Sequence, residues 1–335
     1  MIRPFLFLIV AFSFSSIISC KSDSKNNSGD IDDTDSLQIS SGDTITFLNE
    51  IDDDGPIEIK EGELYLSFNP VTGKTYVTDM QSVSKIVQTV NGNTASNTMH
   101  LSAANSLKVG EKNSNGNFMI TSSVKSFKSS VTEGTIEVSF ESGKKSSDPD
   151  ADMLRQVMDC YIDMPVVIEM DKNARILNVT GVEAIQNKIQ TTLGNEMVAV
   201  SQQMSDLNQE VLNSFVAFPR KSIKPGDTWV TVDSVDMGGV PTIMKNTYTL
   251  TDFNSEIAYI AVKTDFTVDK DLIRSLGGTG NEVTMTGGQS GNMQVDAQSG
   301  WTKSASLKQD VKMKIEDQGQ VIEVSISGAT SFMIK

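Results

Sequence analysis

The stretch EIAYIAVKTDFTV, residues 256–268, alternates between apolar and polar side chains in its second half. Side chains two positions apart lie on the same face of a strand, so this pattern predicts a β-strand with one buried face and one solvent-exposed face. The stretches ELYLSF (63–68), GTIEVSF (134–140), DVKMKIE (310–316) and QVIEVSIS (320–327) show the same alternation. Such runs, separated by turns and rich in Thr, Val and Ser, are typical of antiparallel sheets. We therefore expect a mainly β fold.

A first helix is predicted after Asp148-Pro149, because aspartate is a favoured N-cap and proline is favoured at the first helical position. The apolar positions expected on its buried face are Met153, Val157, Cys160 and Met164. Cys160 is either a packed apolar residue or a reactive nucleophile, and its place in this stripe favours packing.

A second helical region is predicted over residues 182–217, with a break at Gly194. The simplest interpretation of its apolar spacing is a helix packed on the sheet. A functional alternative is that part of this stripe faces a hydrophobic ligand, because methionine is flexible and polarizable and the chain has 16 methionines. The candidate ligand-facing residues are Met197, Val200, Met204 and Leu207, with Met285, Met293 and Met313 on predicted strands.

Two parts of the sequence resemble each other. NPVTGKTYVTD (69–79) and SIKPGDTWVTVD (222–233) both pass from a turn with proline into Gly-x-Thr-aromatic-Val-Thr, which opens a predicted strand. This similarity predicts two related antiparallel β-modules, residues 62–181 and 218–335, that form a curved sheet or half-barrel. The segment 182–217 is then a central helical insertion packed on that sheet, so the expected fold class is mainly β (α+β).

Net charge narrows the choice of partners. The chain has 335 residues, a formal net charge of -15 at pH 7 and a pI near 4.5. A field of that sign repels phosphate backbones and anionic head groups, so we expect no nucleic-acid partner and no unaided adsorption on a membrane. Hydrophobic residues at 38% and charged residues at 21% are typical of a folded, globular body.

The N-terminus has the parts of a secretory signal. Arg3 precedes an apolar core at residues 5–14, which is too short to span a membrane as a helix. The core leads into Ile17-Ile18-Ser19-Cys20, which resembles the lipobox of bacterial lipoproteins. The resemblance implies that residues 1–19 are a signal peptide and that Cys20 becomes the lipidated first residue, carrying acyl chains such as palmitate. The alternative is an ordinary signal peptide that is cleaved further on.

Residues 20–61 are expected to form the lipidated end and a flexible acidic tether. The part after Cys20 is rich in Ser, Asp, Asn and Gly and has too few apolar residues to repay the entropy of ordering. Ser36 and Thr44, each between an aspartate and an aliphatic residue, resemble O-glycosylation acceptors of bacterial lipoproteins of this type. The alternative is that these tripeptides arise by chance in a Ser/Asp-rich segment.

No catalytic or metal-binding motif emerges from the sequence. The single histidine, His100, lies in NTMHLSA, where alternation places it on the wet face of a strand. The G-x-S-x-G motif of a hydrolase nucleophile does not occur, and one histidine with one free cysteine cannot supply three or four soft ligands to zinc. We therefore expect no enzyme activity, no cofactor and no metal site.

The lipobox, together with the turns TGKTY (72–76) and PGDTW (225–229), resembles a domain-of-unknown-function family of lipoproteins from Bacteroidota-type Gram-negative bacteria. The resemblance implies location in the cell envelope, at the outer membrane through the lipid anchor, and it carries over no catalytic residue. We expect a non-catalytic structural or interaction role, with envelope proteins as partners. The alternative is a carrier or binding protein for a lipid or other hydrophobic ligand.

Overall fold

The structure is a computed structural model that describes residues 60–194, 215–236, 240–275, 282–317 and 320–335. These residues contain a mainly β body with antiparallel pairing between all neighbouring strands of one sheet. In chain order the first six strands are β1 (Thr75–Val90), β2 (Asn93–Lys112), β3 (Phe118–Glu133), β4 (Ile136–Glu141), β5 (Val166–Met170) and β6 (Ile176–Thr180). The other six are β7 (Thr228–Asp236), β8 (Pro241–Phe253), β9 (Ile257–Val268), β10 (Glu282–Asp296), β11 (Thr302–Asp317) and β12 (Gln320–Ile334). The described helices are α1 (Pro149–Asp159), α2 (Val182–Leu193) and the short α3 (Lys270–Ser275).

The two halves of the chain meet in the middle of the sheet. The strand order is β6-β5-β3-β2-β1-β12-β11-β10-β9-β8-β7, with β4 paired to β3 beside this path. The first long strand, β1, therefore pairs with the last, β12, in a ladder that runs from Thr78 opposite Ile334 to Val90 opposite Ile322. The sheet is open, and β6 and β7 stand at the two ends of its strand order.

Most of the predicted strands are confirmed. The stretches 256–268, 310–316 and 320–327 lie in β9, β11 and β12, and residues 136–140 lie in β4. The strand predicted at 63–68 is wrong, because this segment makes only an isolated bridge, between Leu64 and Ile223. Its alternation has another cause: Leu66 and Phe68 insert into the core, while the backbone amide of Phe68 donates to the carbonyl of Lys172.

One aromatic-rich core cluster joins distant parts of the sheet. It contains Ile168 of β5 and Trp229 of β7, which lie near opposite ends of the strand order. The sheet curls, because the backbone amide of Phe218, before β7, donates to the carbonyl of Asn173, between β5 and β6, at 2.8 Å. At the centre, Tyr76 stacks on Trp301 with ring centroids 4.2 Å apart, and Phe68 stacks on the same indole at 5.5 Å. We call the sheet face that carries these core residues the inner face.

Glycines in β10 permit part of this bending. A Cβ on Gly287 would lie 2.0 Å from the carbonyl oxygen of Asp310, and a Cβ on Gly291 would lie 2.0 Å from that of Ser306. No side chain fits at such distances, so β10 and β11 can approach this closely only with glycine at both positions.

Helices α1 and α2 cover the inner face of the N-terminal half. Asp148 caps α1 by accepting hydrogen bonds from the backbone amides of Asp150 and Ala151 at 2.9 and 3.0 Å, which confirms the predicted helix start. The predicted stripe is partly wrong, because α1 ends at Asp159, and Met164 therefore lies beyond the helix. The residues of α1 and α2 that pack against Leu101 and Phe127 in one cluster are Ala151, Leu154, Val157, Met158, Ile185 and Ile189. Cys160 is buried there as well, as predicted.

The two turns that resemble each other in sequence also share their local structure. Gly73 and Gly226 have φ angles of 81° and 96°, which favour glycine, and each ends a turn before a strand. The amide of Gly73 donates to the carbonyl of Val109, and the amide of Gly226 donates to that of Leu250. The wider prediction, that 62–181 and 218–335 are related modules with a helical insertion at 182–217, stays a prediction.

Candidate functional site

The inner face of the C-terminal half differs from that of the N-terminal half. Among the described helices, only α3 contributes to the apolar clusters here, through Ile273. Polar side chains occupy the middle of this face instead. Three of these polar residues, Thr231, Asn246 and Thr264, are buried.

A row of polar residues crosses the inner face from strand to strand. Each residue of the row pairs directly with a residue of the neighbouring strand, and that residue pairs in turn with one on the following strand. From β7 to β1 the members of this polar row are Thr231, Asn246, Thr264, Gln289, Gln309, Gly328 and Ser84. Because opposite residues on one face of an antiparallel pair are neighbours, the row forms a continuous uncharged stripe across seven strands.

A buried hydrogen-bond network occupies the β7 end of the polar row. The Asn246 side chain donates from Nδ2 to Asp233 Oδ2 at 2.8 Å and to Thr231 Oγ1 at 3.2 Å. Thr264 Oγ1 donates to Asn246 Oδ1 at 2.7 Å, which fixes the orientation of the amide. Three strands therefore hold Asp233 in place from one side.

Asp233 is the charged group of this network. It is half-buried, and desolvation raises the pKa of its carboxyl to about 6, although the hydrogen bonds from Asn246 and Thr231 act in the opposite direction. Burial also raises the pKa of Tyr248 above its usual range, and the negative charge of Asp233 adds to that rise. The two groups are therefore electrostatic neighbours.

Other members of the polar row have unused hydrogen-bonding capacity. Gln289 and Gln309 lie opposite each other and are half-buried, and neither amide bonds to another side chain in the described part of the chain. Ser84 is 8% exposed, and its Oγ has no partner among the described residues. Unpaired buried polar groups cost free energy, so such positions are often where a ligand or water binds.

Apolar side chains flank the polar row on both sides. Toward one end of the strands, Met244, Phe266 and Val311 form a buried cluster with Val235. Toward the other end, Trp229 and Tyr248 stack with ring centroids 5.4 Å apart and an interplanar angle of 22°. Both sets are buried, so packed core bounds the polar row on either side.

The site residues predicted from sequence are not brought together in the described structure. Cys20, Ser36, Thr44, Met197, Val200, Met204 and Leu207 all lie outside the described residues. Of the strand methionines that were candidates for a ligand cavity, Met293 and Met313 are buried core residues and Met285 is half-buried.

The polar row was missed by sequence reasoning, although a signal for it exists. Thr264 and Asn246 occupy inward positions in strands whose inward residues are mostly apolar, and Gln289 and Gln309 do the same in β10 and β11. Burying a polar group costs free energy unless it is hydrogen-bonded, so polar residues that interrupt an apolar face are candidates for a structured or functional site.

His100 is exposed on the face opposite the inner face, paired between Val83 and Ser130, as its alternation predicted. Across the described ranges, no group of three or more His, Cys, Asp or Glu residues is placed to hold a metal ion. None of the helices in those ranges combines the length and apolar character needed to cross a membrane.

Residues 115–302 match a family described as being of unknown function, DUF6263. The chain belongs to this family. The matched range begins in the turn before β3 and ends at the first residue of β11, so it contains Asp233 and the β7 end of the polar row. It leaves out β1, β2, β12 and almost all of β11, which form the middle of the sheet. The folded unit of this DUF6263 chain is therefore larger than the matched range.

Comparisons with other proteins add little to the family assignment. No curated protein matches this DUF6263 chain. Among solved structures, OccK7 (OpdD) of Pseudomonas aeruginosa is 6% identical, with 78% of this chain and 99% of that chain covered and a TM-score of 0.20. OccK11 (OpdR) of the same organism is 6% identical, with 83% and 100% covered and a TM-score of 0.16. At these scores the likeness indicates neither a shared fold nor a shared function.

Proposed function

We propose that this protein is a non-catalytic, lipid-anchored lipoprotein of the bacterial cell envelope that binds a hydrophobic ligand on the inner face of its C-terminal half. The lipobox ending at Cys20 supports the anchor and the location, at the outer membrane. The polar row supports the binding function. The ligand would place its hydrogen-bonding groups along the row.

The pair Gln289 and Gln309 is the observation that carries the binding proposal. Gln289 and Gln309 lie opposite each other and are half-buried, and neither amide bonds to another side chain in the described part of the chain, so both keep donors and acceptors for a ligand. A ligand that donates to and accepts from both amides accounts for their presence.

The chemistry of this face supports a binding role over a catalytic one. Asp233 is the carboxyl of the network, and its described hydrogen-bonding neighbours are amide and hydroxyl groups. His100, the single histidine of the chain, lies on the opposite face. His100 is therefore not placed to act as a general base on the inner face.

Native mass spectrometry of the full chain extracted from its own membrane tests the binding proposal. We expect a co-purifying hydrophobic molecule on the wild type and its loss, by at least about tenfold in occupancy, when Gln289→Leu and Gln309→Leu are combined. The matched control is Gln294→Leu, on the outer face of β10, which should retain the molecule. A wild-type protein that carries no such molecule would contradict the proposal.

A second candidate function is a purely structural or interaction role with envelope proteins. The burial of Met293 and Met313 favours it, because methionines that fill a core are not free to contact a ligand. The same experiment separates the two candidates, since a structural role predicts a protein without a co-purifying molecule.

We also propose that residues 62–181 and 218–335 are related modules, and that the segment 182–217 is a helical insertion between them. The matching turns at Gly73 and Gly226 support this proposal.

A further inference from the structure

Part of the inner face stays accessible in the middle of the sheet. Half-buried residues form two adjacent rows there, and within each row a residue pairs directly with the next across β10, β11, β12 and β1. We call this block the central patch; its members are Gln289, Gln309 and Gly328 of the polar row, and Gly291, Leu307, Thr330 and Ser82 in the row beside it. Buried residues border it, namely Val262 and Thr264 on β9, Met99 and Leu101 on β2, and Ile326 and Phe332 along β12. The central patch is therefore where the inner face offers surface to a ligand.

The central patch carries hydrogen-bonding groups that the protein leaves partly unused. The amides of Gln289 and Gln309 each offer two donor hydrogens and an acceptor oxygen, and neither bonds to another side chain in the described part of the chain. Ser84 lies at the border of the patch, across Gly328 from Gln309, and its buried Oγ has no partner among the described residues. Gly328 projects no side chain between them, so a polar group placed over this glycine lies about 4.8 Å from each of the two flanking strands.

The strands that form the central patch carry no charge on the side that faces it. Every inward position of β10, β12 and β1 is uncharged, and so are the inward positions of β11 over residues 305–315. Lys308 and Lys312 of β11 alternate onto the outer face and are exposed there. Elsewhere on the described strands, the charged inward residues Asp233 and Glu133 are both acidic. An anionic group bound at the patch would therefore lose hydration without gaining a cation from these strands.

We propose that the central patch binds the polar head group of the ligand, and that this head group is uncharged and carries hydroxyl or amide groups. This inference rests on the proposed ligand-binding function and specifies the polar end of the ligand. Hydroxyl and amide groups both donate and accept hydrogen bonds, so they match the amides of Gln289 and Gln309 and the Oγ of Ser84. An ionised carboxylate accepts hydrogen bonds but donates none, and its charge stays unbalanced. A lipid with a free glycerol group fits the patch, whereas a fatty acid does not.

Three probes with the same acyl chain test this inference: 1-monodecanoylglycerol, which has free hydroxyls, methyl decanoate, which is uncharged but has no donor, and decanoate, which is anionic. Their binding to the full chain in non-ionic detergent at pH 8 is measured by native mass spectrometry. We expect the wild type to bind the glycerol ester at least about tenfold more tightly than either other probe. Combining Gln289→Leu with Gln309→Leu should bring the glycerol ester and the methyl ester to similar affinities. Each single variant should lose part of the preference, so the test stands even if the double variant does not fold.

A charge-reversal of the preference provides a second, independent measurement. Gln309→Lys places a cation in the central patch and should raise the affinity for decanoate at least about tenfold. The matched control is Asn292→Lys, which adds the same charge to the exposed outer face of β10 and should leave the decanoate affinity unchanged. Equal gains in the two variants would mean that the added charge acts through the net charge of the chain and not through the patch, which contradicts the inference.

The remaining outcomes separate this inference from the proposed function. If the wild type binds decanoate or the methyl ester as tightly as the glycerol ester, the head-group inference is overturned while hydrophobic-ligand binding stands. If none of the probes binds but a molecule co-purifies from the native membrane, its accurate mass decides, because a fatty acid overturns the inference and an uncharged hydroxylated lipid supports it. If none binds and no molecule co-purifies, the proposed function fails as well.

Discussion

Replacing Asp233 with asparagine should stabilise the protein at neutral and alkaline pH. Folding raises the pKa of this carboxyl from 3.8 to about 6, so the folded state holds the proton more tightly than the unfolded state does. Between these values the folded state binds more protons, and its stability must fall as pH rises. A shift of this size lowers the free energy of unfolding by at most about 3 kcal/mol at alkaline pH, since one pKa unit corresponds to about 1.4 kcal/mol.

Asparagine has the same shape and still accepts a hydrogen bond from Asn246 through its carbonyl oxygen. Asp233→Asn should therefore raise the free energy of unfolding by about 1–3 kcal/mol at pH 8 and change it little at pH 4, where aspartate is protonated in the folded state. Urea unfolding of the chain from residue 20 with Cys20→Ser measures this, and both tryptophans, Trp229 and Trp301, are buried reporters. A variant less stable than wild type at pH 8 would show that the carboxylate is a net stabiliser and would refute the desolvation argument.

Three further predictions follow from other parts of the chain. Cys20→Ala should release the protein from the membrane fraction, as measured by fractionation and immunoblotting; a variant that stays membrane-bound at full yield contradicts the lipid anchor. Asp148→Ala should lower the free energy of unfolding by about 1 kcal/mol, because the amides of Asp150 and Ala151 lose their cap. Gly291→Ala should cost about 3 kcal/mol or more, because its Cβ would collide with a β11 carbonyl. The neighbouring exposed Asn292→Ala should cost far less, and equal losses would count against the close approach of the two strands.

Alternation predicted the strands well because it depends only on which face of one strand is buried. It failed at 63–68, where the apolar pattern of Leu66 and Phe68 reflects insertion into a core and not pairing in a ladder. The polar row escaped prediction for a related reason. Each of its residues is an ordinary interruption within its own strand, and only the register between strands places Thr264 beside Gln289 and Gln289 beside Gln309.

The binding residues predicted on 195–214 lie outside the described residues and stay predictions. Asp233 was also invisible to sequence reasoning, but for an electrostatic reason. The chain has 43 acidic residues, and none stands out by motif. What distinguishes Asp233 is desolvation within a hydrogen-bond network, and this depends on how β7, β8 and β9 lie against each other.

The ladder between β1 and β12 makes the order of synthesis matter for folding. Thr78 pairs with Ile334, so the middle of the sheet cannot assemble until nearly the whole chain has left the ribosome. Until then the long strands β1 and β11 each expose one unpaired edge, and such edges invite pairing with the wrong chain. Contacts so distant in sequence also slow folding. A protein with this topology should depend on being kept unfolded until its last strand is available, and truncation by even the final strand should leave two half-sheets that aggregate.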